Sequence, residues 1–241
     1  MTNQETVASA AEIKVLCSNS THAVMDELVP EFERASGHKV AVSYDPAKIM
    51  LQRIQRGETA DLAILGAPAI DDLTKQGKIA AGSRRDLARC GIGIAVRAGA
   101  PKPDIGSVEA FKRALLNAKS VAHTESGVSG MHFAGLIERL GIAEQMKARA
   151  RMQPGGLVGE LVARGEAEIA VQQIPELMAV PGIEVVGPLP RELQKITLVA
   201  AGIFAASRHP EAAQALLEFL STPAAARVYK AKGLEPAATA W

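Results

Sequence analysis

Residues 89–97 read RCGIGIAVR, and residues 195–206 read KITLVAAGIFAA. Each is a long apolar run of strand character, rich in glycine or alanine, and together they bracket a middle block of roughly domain size. If both runs cross between two bodies, the chain enters a second lobe near Gly91 and returns near Ala200. Lobe one is then discontinuous, residues 1–91 and 200–241, with closing helices at 210–220 and 223–232. Lobe two is residues 92–199. No Pro/Gly/Ser-rich linker, internal repeat or low-complexity tract interrupts this scheme.

Outward from these crossings, short apolar runs recur at 13–17, 40–44, 62–65, 120–123, 169–173 and 183–186. Between most of them lie segments with helical spacing. One carries Val24, Leu28, Phe32 and Ala35, with Pro30 expected to kink it. Others fall at 49–56, 69–76, 108–117, 131–140 and 157–164. Gly57, Gly77, Gly141 and Gly165 each follow an apparent last turn, where glycine tolerates the left-handed cap. Ser107 and Thr222 stand where N-caps belong, and Pro223 suits a first helical position. Strands alternating with helices, the strands apolar nearly throughout, predict an α/β protein with parallel sheets covered on both faces.

Composition narrows the function. Of 241 residues 48% are hydrophobic but only 3% aromatic, so the core is aliphatic. A formal net charge of +1 with no basic stripe argues against nucleic-acid partners. The longest apolar run, 196–206, is about half of the ~20 residues a membrane span needs, so no membrane insertion is expected. The first residues, MTNQETVASAAE, lack a basic and an apolar region of signal type, which reads as cytoplasmic. Ala8-Ser9-Ala10 does match the end of a cleaved signal, and an exported form would be periplasmic. Cys17 and Cys90 show no metal or redox spacing and read as buried small hydrophobes. No metal and no cofactor are expected, since phosphate-loop and dinucleotide fingerprints are absent.

Three strand-to-helix turns are polar or glycine-rich: Ser18-Asn19-Ser20-Thr21, Ser126-Gly127-Val128-Ser129-Gly130 and Pro154-Gly155-Gly156. Residues of these types merely cap many helices. Three such turns at the carboxyl ends of strands also make an anion site, because unpaired N–H groups and the helix dipole favour negative charge there. Strand alternation turns either Gln172 or Gln173 toward the same place, and Gln173 is the better placed.

In order, the segments IKVLCSNST, RIQRGETADLAIL, IGIAVRAGAPKPDI and LLEFLSTPAAARVYKAKGLEP resemble the periplasmic molybdate-binding protein family, from Glu12 to Pro236. That resemblance implies a type II periplasmic-binding-protein fold: two Rossmann-like lobes joined by a hinge. It also implies oxyanion contacts from Ser20, from the backbone around Ser129, and near Gly155. The family's second serine is replaced within Asp45-Pro46-Ala47-Lys48, and its tyrosine by Gln172 or Gln173. Lys48 there offers a full charge suited to a carboxylate. Residues 82–204 are also similar to the aconitate isomerases, through SRRDLARCGIGIAVRAGAPKPDI, LLNAKSVAH, EIAVQQIPELMAVPGIEVVG and AAGI.

These readings define a solute-binding protein that closes on one small anion, an organic acid before molybdate. Its binding residues would be Ser18, Asn19, Ser20, Lys48, Ser126, Ser129, Gly155 and Gln173. A monomer is expected, with an ABC permease as partner if the chain is exported. The alternative is an isomerase that shifts a double bond in a tricarboxylate. It needs a base, for which His123, Glu125 and His132 lie near the predicted turns. Histidines at helix starts more commonly serve as hydrogen-bonded caps.

Overall fold

The computed structural model describes residues 10–237, so the expectation attached to Ala8-Ser9 lies outside the described residues. The chain forms two mixed sheets. The first contains β1 (Glu12–Ser18), β2 (Lys39–Asp45), β3 (Leu62–Gly66), β4 (Arg85–Cys90), β10 (Thr197–Ile203) and β11 (Glu235–Pro236), in the order β11-β4-β10-β3-β1-β2. The second contains β5 (Ile92–Arg97), β6 (Val121–Thr124), β7 (Ala150–Gln153), β8 (Ile169–Gln173) and β9 (Ile183–Pro188), in the order β7-β6-β8-β5-β9.

The sheets are not all-parallel, which corrects the expectation from strand–helix alternation. β1 runs parallel to β2 and β3, but β10 is antiparallel to β3 and β4. β6 runs parallel to β7 and β8, but β5 is antiparallel to β8 and β9. The cause is the crossing itself. β1, β3, β6 and β8 end at the gap between the sheets, whereas β5 and β10 begin there, having just crossed it, and so run the other way. Residues 89–97 are two strands, β4 and β5, separated by Gly91. β10 pairs within the first sheet along its whole length, from Thr197 onward.

Both faces of each sheet are covered. On the first sheet, Ile13, Val15, Cys17, Leu62, Ile64, Val199 and Ala201 face α1 (His22–Ser36), α9 (Pro210–Leu220) and α10 (Pro223–Ala231). The alternate residues Leu16, Ala63, Leu65 and Ala200 face α2 (Ala47–Gln55) and α3 (Ala67–Lys75). On the second, Ile92, Ile94, Val121 and Val171 pack on α4 (Val108–Asn117), α5 (Val128–Arg139) and α6 (Ala143–Lys147). Ala95, Ala122 and Ala170 pack with α7 (Gly159–Ala163) and α8 (Ile174–Met178). Each fully buried aliphatic side chain contributes ~1.5–3 kcal/mol, so these four clusters hold the fold together.

Ser107 and Thr222 cap α4 and α10 by accepting from Ala110 N and Ala225 N. Gly57, Gly77, Gly141 and Gly165 all have positive φ. α1 continues through Pro30, which is exposed. Cys17 and Cys90 are buried, and burial pushes both thiols up to about 12. No described helix is long and apolar enough to cross a membrane.

Candidate functional site

A small cavity of about 30 Å³ lies between the sheets, lined by residues from both. The first sheet and its helices supply Ser18, Asn19, Ser20, Pro46, Ala47, Gly66 and Thr197; the second supplies Thr124, Gly127, Val128, Gln173 and Glu176. These positions mark five helix starts. Asn19–Thr21 is a 3-10 turn leading into α1, Pro46 and Gly66 are the N-caps of α2 and α3, and Gly127 and Gln173 are those of α5 and α8. None of the five has a side-chain cap hydrogen bond. α6, α7 and α9, away from the cavity, lack one too, so it is the convergence of the five that matters. Together they leave N–H donors and positive dipole ends around one space, with no lysine or arginine lining it.

Glycine makes the approach of α5 possible. A Cβ on Gly130 would meet Thr124 O at 1.8 Å, and one on Gly127 would meet Thr124 Oγ1 at 2.5 Å. Thr124 Oγ1 itself is buried with no hydrogen-bond partner among the described residues. Such a group is costly unless something else satisfies it.

The cavity holds one ionisable side chain. Glu176, in the first turn of α8, is 7% exposed, and no salt bridge to it is present among the described residues. Burial drives its carboxyl up to about 8, with the backbone of Gln173 pulling the other way. It is therefore mostly protonated at neutral pH.

The two sheets also bond across the crossing. Gln173 Nε2 donates to Thr197 Oγ1 (3.1 Å) and approaches Cys90 Sγ (3.3 Å). Gln194, on the returning segment, brackets Ile92: its Oε1 accepts from Ile92 N (2.8 Å) and its Nε2 donates to Ile92 O (2.9 Å). A wider groove of about 890 Å³ shares Ala47, Gly66, Val128 and Thr197 with the cavity and continues outward past Lys48, Arg56, Lys195, Met131 and Ile196.

Of the residues expected from sequence, Ser18, Asn19, Ser20 and Gln173 line the cavity. Lys48 is exposed and lines the groove instead. Ser126 is half-buried beside Gly127, and Ser129 is buried in the first turn of α5. Gly155 sits at the rim against Pro46 of the opposite lobe. Gln172 faces away, accepting from Val158 N (3.0 Å) and donating to Gly156 O (2.8 Å), so it holds the loop after β7.

None of the three expected bases lines the cavity. His123 packs against Phe133 on the core face of β6, and burial holds it below the usual imidazole range. His132 Nε2 bonds Leu193 O at 2.8 Å, and Glu125 is exposed. Glu176, Thr124 and Thr197 also line the cavity, and none of them was expected from sequence. The signal for Glu176 was present: Ile174-Pro175-Glu176 after a strand places proline and an acid where a helix begins.

Residues 13–235 match the family of bacterial extracellular solute-binding proteins. The chain belongs to that family. It is 40% identical over 230 residues to aconitate isomerase from a Pseudomonas species, covering 93% of this chain and 87% of the relative. It is 30% identical over 244 residues to the molybdate-binding protein ModA of Azotobacter vinelandii, covering 94% and 90%. Among solved structures, the periplasmic molybdate-binding protein of Azotobacter vinelandii superposes with a TM-score of 0.77 at 18% identity, covering 92% of this chain and 98% of its own. The sulfate-binding protein SubI of Mycobacterium tuberculosis gives 0.75 at 19%, covering 95% and 88%. The fold is the type II periplasmic-binding-protein fold, two α/β lobes flanking a cleft.

Proposed function

We propose that this solute-binding protein closes its lobes on one small organic acid, held in the cavity between them. The observation that carries this reading is the convergence of five helix starts on a space with no lysine or arginine. Such a site compensates negative charge through N–H donors that are fixed before the ligand arrives. Ser18, Asn19, Ser20 and Gln173 add side-chain contacts, and Ser126, Ser129 and Gly155 shape the α5 start and the opposing rim. The cavity alone has room for little more than water. A ligand therefore enters the open cleft and, as the lobes close on it, extends from the cavity into the adjoining groove, where Lys48 meets an outer carboxylate. That elongated path favours a multi-carboxylate acid over a compact tetrahedral oxyanion.

The hinge in this reading is Gly91 with the returning segment at Gln194, close to the boundaries at 91/92 and 199/200. The chain acts as a monomer. Where exported to the periplasm, it would present its ligand to an ABC permease.

A second reading is that the bound acid is converted. The likeness to aconitate isomerase along nearly the whole chain favours it, as does an ionisable group within the cavity. Isothermal titration with cis-aconitate, trans-aconitate, citrate and molybdate tests the first reading, and NMR of each aconitate mixture after incubation tests the second. We expect at least one organic acid to bind tenfold or more tightly than molybdate. Molybdate as the only binder overturns the organic-acid reading, and binding without conversion overturns the isomerase reading.

A further inference from the structure

We propose that Glu176 is the acid–base residue of the cleft, taking an allylic proton from a bound unsaturated polycarboxylic acid and returning it two carbons away. This rests on the isomerase reading above and deepens it. Three observations converge on this one side chain. It is the only ionisable group among the residues lining the cavity. It is more than nine-tenths buried, and no salt bridge to it is found among the described residues. It stands on α8, which reaches across to the first lobe and packs against the Asn19–Thr21 turn and α1. A buried acid with no counter-charge costs stability and persists where something beyond packing requires it.

The neighbours fit the chemistry. Ser18, Ser20, Thr124, Gln173 and Thr197 are neutral groups able to hold carboxylates in place, and the helix starts stabilise charge as it develops. Thr124 Oγ1, buried with no partner among the described residues, is placed to meet the ligand.

The step balances without any oxidant or second substrate. Glu176, as carboxylate, removes a proton from the methylene carbon beside the alkene, so a C–H bond breaks and an O–H bond forms. The released pair becomes part of a new C=C bond, and the former alkene electrons move to the far carbon, where the adjoining carboxylate delocalises them. Glu176 then returns its proton to that far carbon. The acid keeps its atoms, and its double bond has moved. A carboxyl raised to about 8 by burial is matched to this task near neutral pH.

The test compares wild type with Glu176→Gln, an exchange of nearly equal volume. Each is incubated with cis-aconitate or trans-aconitate in D2O and followed by NMR. We expect wild type to interconvert the two and to exchange their allylic protons. Glu176→Gln should lose about 10²–10⁴-fold in kcat while keeping a ligand-induced rise in Tm. The kcat/KM of wild type should climb as pH rises toward 8, whereas the residual rate of the variant stays flat. Conversion by Glu176→Gln within tenfold of wild type overturns the role of Glu176 and leaves the isomerase reading standing. Neither conversion nor exchange by wild type removes both.

Discussion

At the scale of single residues, Asp61 carries more of the fold than its place before a strand suggests. Its carboxylate accepts from Lys14 N (2.8 Å), Ser207 Oγ (2.7 Å), Arg208 N (3.1 Å) and His209 N (3.2 Å). Burial alone would raise its pKa, but these donors hold it below the usual carboxylate range. It thereby ties β1 to the turn that opens α9, joining segments far apart in the chain. Asp61→Ala leaves these donors without a buried acceptor and should cost about 2–4 kcal/mol. Urea unfolding reads this as a lower midpoint at unchanged slope, and a loss under 0.5 kcal/mol would show that water replaces the carboxylate. The same scale shows what sequence can carry. Ser18 and Gln173 were legible as cavity-lining positions because they end strands at a cleft, and Ser20 because the family resemblance pointed to the turn that follows. Thr197 was not, because its position depends on how one lobe faces the other, whereas Glu176 carried a local helix-start signal whose place in the cleft only the packing of the lobes reveals. His123 lies near the turn, as expected, but Val121 and His123 share the face beneath Phe133, while Thr124 reaches the cavity.

At the scale of elements, apolar runs and glycine stops located most strands and helices. α6, α8, β4, β7 and β11 escaped that reading, each being six residues or fewer. Short elements hold their shape through tertiary contacts rather than through a periodic pattern of their own. Strand direction was likewise invisible, because it follows from which strands begin at the crossing. The loop after β7 is one short element with a specific consequence. A Cβ on Gly155 would meet Pro46 Cγ at 2.3 Å, and these residues approach from opposite lobes. Gly155 has no positive φ, so alanine is conformationally acceptable there. Gly155→Ala should then leave Tm without ligand within ~2 °C of wild type, an effect below ~0.5 kcal/mol, while weakening ligand affinity at least tenfold. Titration measures the affinity, and small-angle scattering should show the variant failing to compact on binding. Unchanged affinity would mean that the lobes need not approach this closely around their ligand.

At the scale of the whole molecule, the cleft makes stability depend on pH in a direction opposite to most carboxylates. In the unfolded chain Glu176 releases its proton near the ordinary value of about 4.3; in the folded protein it does so at about 8. Between those limits the folded state holds a proton that the unfolded state has lost. Unfolding free energy therefore falls as pH rises from about 4.3 to 8, by an amount on the order of a few kcal/mol. His123 acts from the other side. Its burial keeps it neutral while the unfolded imidazole gains a proton, so its contribution is lost as pH drops below about 6.5. Replacing Glu176 by glutamine isolates the first effect, because the amide resembles the protonated acid in shape and charge. At pH 4.5 the variant and wild type should unfold at nearly the same temperature, and at pH 9 the variant should be the more stable by several degrees. Calorimetry at the two pH values decides it. An equal difference at both would mean that glutamine only packs differently. A difference that grows with pH identifies a carboxyl that pays for its ionisation inside the cleft, the condition under which the site can exchange a proton with its ligand.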